Sequence, residues 1–176
     1  MKKACISFLV IAIIILSFIG MSVEKPCPQK EYLRIHVRAN SNLESEQQVK
    51  YKVKDAIVEF LTPYIAECDT KQKAQTLLTK RLTEIERVAN KVLKQNGFNY
   101  CAKASVRKEK FPTRIYNGVQ LDSGIYDALI VELGSGKGDN WWCVVYPPLC
   151  FTSENVKYSY KSKILQIIQS FYNKER

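Results

Sequence analysis

The apolar positions along the chain change rhythm several times. Residues 4–20 carry no charge and are mostly Ile, Leu, Val and Phe, directly after Met1-Lys2-Lys3. Such a run is a little long for a signal-peptide core and a little short for a comfortable membrane span. Residues 32–38 then alternate, with Leu33, Ile35 and Val37 on one face and Arg34, His36 and Arg38 on the other, which predicts a strand. Asn40-Ser41-Asn42 stops it, and Ser41-x-x-Glu44 reads as a capping box opening a helix. Val49, Val53, Ile57, Phe60 and Leu61 recur at helical spacing up to Pro63, which kinks or ends that helix. A second helix is expected from Asp69 or Thr70 to the Asn96-Gly97 stop, its apolar stripe of Ala74, Leu77, Leu78, Ile85, Val88, Ala89 and Val92 broken only at Arg81.

Strand patterns follow. Tyr100, Ala102, Ala104 and Val106 alternate with Lys103, Ser105 and Arg107, predicting a strand with one wet face. Residues 125–133 and 141–146 are apolar on both faces, the pattern of interior strands. Gly134-Ser135-Gly136-Lys137-Gly138-Asp139 reads as the hairpin loop between them. A last helix over 154–173 places Val156, Tyr160, Ile164, Ile167, Ile168 and Phe171 on one side. The expected fold is α+β: a mainly antiparallel sheet with helices on one face, preceded by an N-terminal hydrophobic leader. Residues 1–22 form a signal peptide or N-terminal membrane anchor, 23–31 a linker and 32–176 a single α+β domain. The chain is expected to be exported in either case.

The formal charge of +10 changes the picture of partners more than of fold. It favours anionic surfaces: nucleic acid, teichoic-type polymers, lipid headgroups or an acidic receptor loop. The basic residues are spread along the helices, with no Lys/Arg run interleaved with aromatics, so nucleic acid is not expected as a partner. Six cysteines and one histidine show no metal-ligand spacing, so neither a metal nor another cofactor is expected. Cys143 and Cys150 flank a Pro-Pro turn and either bridge or are two small buried hydrophobes.

Catalytic readings are thin. Gly134-Ser135-Gly136-Lys137-Gly138 lacks the spacing of a phosphate loop, and a strand rather than a helix follows. Asp122, Asp127, Glu132 and Asp139 cluster in sequence without a sign of convergence. Asp127, between apolar neighbours on a strand, reads as a buried, paired carboxylate. Cys143 and His36 are the one conceivable thiol–imidazole pair, yet Cys143 sits in an apolar run rather than an electropositive site. Asn40 reads as a cap or as a polar anchor. Phe111-Pro112-x-Arg114-x-Tyr116 leaves a strand with two aromatics and a guanidinium, a composition shared by packing clusters and interfaces.

Four motifs carry a resemblance. They are Asn140-Trp141-Trp142-Cys143-Val144-Val145-Tyr146-Pro147-Pro148-Leu149-Cys150-Phe151, Leu33-Arg34-Ile35-His36-Val37-Arg38-Ala39-Asn40-Ser41, Phe111-Pro112-Thr113-Arg114-Ile115-Tyr116 and Gly124-Ile125-Tyr126-Asp127-Ala128-Leu129. In this order the chain resembles the stage II sporulation protein R family. Asn42, Leu121-Asp122-Ser123-Gly124 and Asp127 depart from the family's usual Asp, Leu-Pro-Ala-Gly and Glu. The resemblance implies a protein made in the forespore and exported to the space between forespore and mother-cell membranes. There it would activate a membrane-embedded aspartic protease of the mother cell that processes the sigma-E precursor, without being an enzyme itself. Partner-binding candidates in these motifs are Arg38, Asn40, Phe111, Arg114, Tyr116, Tyr126, Trp141 and Trp142. Alternation along the last strand places Trp142, Val144 and Tyr146 on one face and Trp141, Cys143 and Val145 on the other. The rival expectation is a cell-envelope thiol hydrolase using Cys143 and His36.

Overall fold

The computed structural model describes residues 31–116, 118–151 and 158–175. The leader, almost all of the linker and the expected start of the last helix, Val156 included, lie outside the described residues. Among the described residues no helix is long and apolar enough to cross a membrane.

The elements are β1 (Leu33–Arg38), α1 (Glu44–Ile65), α2 (Lys71–Lys80), α3 (Leu82–Gln95), β2 (Ala102–Phe111), β3 (Arg114–Tyr116), β4 (Val119–Leu121), β5 (Gly124–Leu133), β6 (Asn140–Tyr146) and α4 (Tyr158–Glu175). The fold is α+β. Four strands form a mixed, mainly antiparallel sheet in the order β2-β5-β1-β6, and β3 with β4 forms a separate two-stranded hairpin. The apolar stripes of α1, α2 and α3 and the inward row of β1 meet in one core, from Val49, Ile57 and Leu61 through Leu78, Ile85 and Leu93 to Ile35 and Leu129. Burial of this contiguous apolar surface is the main stabilising term, at roughly 25 cal/mol per Å² removed from water.

The expected second helix is two. Arg81, the one break in the apolar stripe, adopts φ −107° and ends α2. Its guanidinium lies 3.6 Å over the Tyr64 ring, so the chain bends there to seat a cation on an aromatic face. Thr70 caps α2 by accepting from the Lys73 amide. Gly97, at φ +82°, terminates α3 as expected, with the Phe98 amide donating to the Leu93 carbonyl. The expected capping box does not form: Leu43 is the N-cap of α1, and no side chain caps it.

The largest departure concerns β5 and β6, which are not a hairpin. β1 lies between them, parallel to β5 and antiparallel to β6. β6 is accordingly an edge strand rather than an interior one. The loop at 134–139 crosses over the end of β1 and is clamped there. Asn40 Oδ1 accepts from the Ser135 amide at 2.9 Å, and the Asn40 carbonyl accepts from the Ser135 hydroxyl at 2.7 Å. Asn42 Oδ1 accepts from the Asp139 amide at 2.6 Å, and the Gly138 amide donates to the Ala39 carbonyl at 2.8 Å. The buried Lys50 ammonium reaches the Asp139 carbonyl from α1 at 3.2 Å. Gly134 and Gly138 therefore serve close approach to the Asn40 side chain and the Ser41 backbone. A Cβ on Gly138 would lie 2.3 Å from the Ser41 carbonyl oxygen, which is backbone and cannot swing aside.

Gly138→Ala should destabilise the fold by about 1–3 kcal/mol, the usual cost of overpacking a tight site. Thermal or urea unfolding checks it, and wild-type stability in that variant would show that the loop is not held against β1 as described.

Candidate functional site

The two faces of the sheet differ in kind. Helices cover one. On it Lys71, at the start of α2, pairs with Asp127 at 2.7 Å, so that carboxylate is structural. Tyr146 donates to the Asp69 carbonyl at 2.6 Å, and Phe171 of α4 stacks edge-on against Tyr32 and Tyr146. The other face, called here the hairpin face, takes the alternate residues. These are Arg34, His36 and Arg38 of β1, Tyr126 and Glu132 of β5, Arg107, Glu109 and Phe111 of β2, and Asn140 and Trp142 of β6.

The polar row of β1 is largely buried. Arg34 is 0% exposed and His36 4%. The Arg34 guanidinium carbon lies 4.3 Å from the Phe111 ring centre, 4.9 Å from Tyr126 and 5.5 Å from Tyr116. Its Nη2 donates to the Tyr116 hydroxyl at 2.7 Å, which fastens the β3–β4 hairpin over this end of the sheet. Burial draws the guanidinium below its ordinary pKa and pushes the Tyr116 phenol up.

Next along the strand, His36 Nδ1 meets Glu109 Oε1 at 2.9 Å and Nε2 meets Asn140 Oδ1 at 2.8 Å. The imidazole ring is 5.5 Å from Trp142 and 5.8 Å from Phe111. Arg38 donates from Nη1 to Glu132 at 2.8 Å and from Nη2 to Glu109. Glu109 thus receives His36, Arg38 and, at 3.4 Å, Arg107. Burial pushes its carboxyl up, but Arg38 and His36 outweigh that and hold it below the usual range. For His36 burial dominates over the bonds to Asn140 and Glu109 and lowers its pKa.

Of the partner-binding candidates, Phe111 and Tyr126 are buried and serve as walls of the Arg34 cage rather than as contact surface. Asn40 is spent on the loop clamp and on Glu46, to which its Nδ2 donates at 2.9 Å. Arg114 is exposed, and its guanidinium lies 4.7 Å over the half-buried Trp142 ring on the hairpin face. Tyr116 and Arg38 are half-buried on the same face. Trp141, also half-buried, is on the helix face, with Lys54 of α1 at 5.4 Å from its ring. Tyr146 does not share the face of Trp142, because the register shifts between Leu33 and Arg34: Tyr146 opposes Leu33 and Val144 opposes Arg34. The extra residue turns the tyrosine toward the helices.

Cys143 opposes Ile35 on the helix face, whereas His36 opposes Trp142 on the other, so the sheet separates thiol from imidazole. Cys143 is moreover bonded to Cys150 in a disulfide with Cα atoms 6.0 Å apart. The thiol-hydrolase pairing is thereby overturned. Among the described residues no group of three or more His, Cys, Asp or Glu could hold a metal ion.

Local patterning did not single out Glu109 or Asn140, and it noted Glu132 only within a sequence cluster of acids, not as the partner of Arg38. The family model for Stage II sporulation protein R matches residues 29–156, a span that contains this whole face. The chain belongs to the stage II sporulation protein R family. The curated Stage II sporulation protein R of Bacillus subtilis (strain 168) is 29% identical over 161 residues, covering 86% of this chain and 72% of that protein. No solved structure matches. Membership in the family supports a role in sporulation.

The His36–Glu109 pair sets a pH dependence. With its pKa below the ordinary 6.5 in the folded state, His36 stays neutral where an unfolded chain would bind a proton. The unfolded state is then favoured as pH falls through 6.5, and the depressed Glu109 carboxyl adds a loss of the same sign starting below 4.5. The urea midpoint should therefore be lower at about pH 5.5 than at about pH 7.5, and His36→Gln should shrink that difference. An equal difference in the variant would show that His36 does not titrate as described.

Proposed function

We propose that the chain is an exported signal of sporulation whose hairpin face engages a membrane-embedded aspartic protease of the mother cell and promotes processing of the sigma-E precursor. In this reading it acts in the space between forespore and mother cell, secreted or held by its N-terminus. It activates the protease and does no chemistry of its own.

The observation that carries the reading is the Arg114–Trp142 pair beside Tyr116 and Arg38. A half-buried tryptophan capped by an exposed arginine, on a rigid sheet, is the composition of an interface hot spot. The side chains beneath it are immobilised by the Glu109 and Arg34 networks, so little ordering is required on binding. The disulfide at Cys143 suits an oxidising exterior.

Co-expression with a candidate protease and its precursor tests the reading. Arg114→Ala and Trp142→Ala should remain folded yet lose about 2 kcal/mol of partner affinity, roughly thirtyfold, with a matching drop in precursor cleavage. Trp141→Ala, on the helix face, should act through stability instead. Full cleavage by folded Arg114→Ala and Trp142→Ala proteins would remove the hairpin face from the interface. No cleavage by the wild-type chain would remove the function.

A further inference from the structure

β2 is an edge strand ten residues long, with β5 on one side only. Its register with β5 is unbroken from Ala102 to Phe111. The outward amides of its first half are answered by side chains from α3. Ala102 donates to Asn90 Oδ1 at 2.7 Å and Ala104 to Glu86 Oε1 at 2.8 Å. Asn90 and Glu86 are one helical turn apart, which matches the two-residue step of the strand. α3 begins at Leu82, so the pattern stops there. By alternation the amides of Val106, Lys108 and Lys110 face the same way, past the last capping side chain.

Among the described residues no group is bonded to these three amides, and this half is also the basic part of the strand. Lys108 and Lys110 are exposed on one face, while Arg107, on the other, pairs with Glu132 at 3.3 Å and Glu109 at 3.4 Å. Glu109, the acid among them, is turned onto the hairpin face and held by Arg38 and His36. Asp127, opposite Lys108 in register, is paired with Lys71. Lysines on an open edge disfavour pairing with a second copy, because like charges would face each other across the new ladder. They do not oppose an acidic strand.

We infer that the 106–110 edge of β2 accepts an extended acidic segment of a protein partner as an added fifth strand. Main-chain bonds to Val106, Lys108 and Lys110 supply the attachment, and acidic side chains meeting Lys108 and Lys110, which share one face, supply the selectivity. The inference rests on the reading of this chain as a signal for a membrane protease, whose extracytoplasmic part would contribute the segment. It names the mode of recognition that the hairpin face alone does not.

Proline separates strand pairing from charge. An edge strand tolerates proline where the lost N–H points outward, so Lys108→Pro removes one attachment point and leaves the β2–β5 ladder intact. The direct test uses a ten-residue alternating Glu–Val peptide, its Lys–Val counterpart as control, and amide exchange followed by NMR on the full chain. The Glu–Val peptide should slow exchange at Val106, Lys108 and Lys110 at least about tenfold and the Lys–Val peptide should not. Lys108→Pro should abolish the protection, whereas Lys108→Ala should keep most of it. Unchanged exchange in the wild-type chain, equal protection by both peptides, or peptide-free protection through self-association would overturn the inference. The peptide arm needs no protease, so it stands or falls separately from the proposed function. In the co-expression assay a folded Lys108→Pro chain that promotes precursor cleavage by the protease as well as Lys108→Ala would also overturn it, while a silent wild-type chain would count against the function alone.

Discussion

The structure turns on β1, a strand placed at the centre of the sheet while carrying Arg34, His36 and Arg38 on one face. A central strand has neighbours on both sides and no edge from which a long side chain can escape. Taking a cation out of water costs several kcal/mol unless it is paired and hydrogen-bonded. The rest of the hairpin face answers part of that cost, leaving Arg34 Nε and Nη1 buried without a hydrogen-bond partner among the described residues. Aromatic faces and the Tyr116 hydroxyl receive Arg34, Glu109 and Asn140 receive His36, and Glu109 with Glu132 receives Arg38.

The same constraint orders what is displayed. Because Arg34 needs Tyr116, the β3–β4 hairpin is drawn over one end of the sheet, and Arg114, two residues before Tyr116, lands on Trp142 of the far strand. Because Trp142 stacks near His36, its ring is fixed from below. On the other face the bulge that diverts Tyr146 and the disulfide of Cys143 fasten the end of β6 toward the helices. Helices pack on one face of the sheet and the β3–β4 hairpin on the other, and the adjacent tryptophans fall one on each.

Local pattern is enough for most features whose partners lie within a few turns of chain, the unformed Ser41–Glu44 capping box being the exception. The stripes of α1 and α3, the Thr70 cap and the Gly97 stop follow from spacing alone. The break at Arg81 left a mark, one polar residue in an apolar stripe, but its meaning depends on Tyr64 in another helix. The two faces of β1 are legible, but the burial of the polar one is not, because alternation of Arg and His with aliphatics looks the same whether water or Glu109 waits opposite. Glu109 is 73 residues from His36 and Asn140 is 104 residues away. The β5–β6 hairpin was misread for a similar reason: two apolar strands joined by a glycine-rich loop give no sign that a strand from far upstream lies between them. The motifs named for family resemblance did contain Arg34, His36, Asn140 and Trp142, yet as strings rather than as one surface, and Glu109 lay outside them all.

Glu109 is the carboxylate that fixes Arg38 and the buried His36 on the hairpin face, and a double-mutant cycle between Arg38 and Glu109 tests this most directly. Urea unfolding of the wild type, Arg38→Met, Glu109→Gln and the double variant should give a coupling free energy of at least about 1 kcal/mol, each single change leaving the other charge poorly compensated. Additivity within about 0.3–0.5 kcal/mol would contradict the account, because the two residues would then be neighbours without being partners.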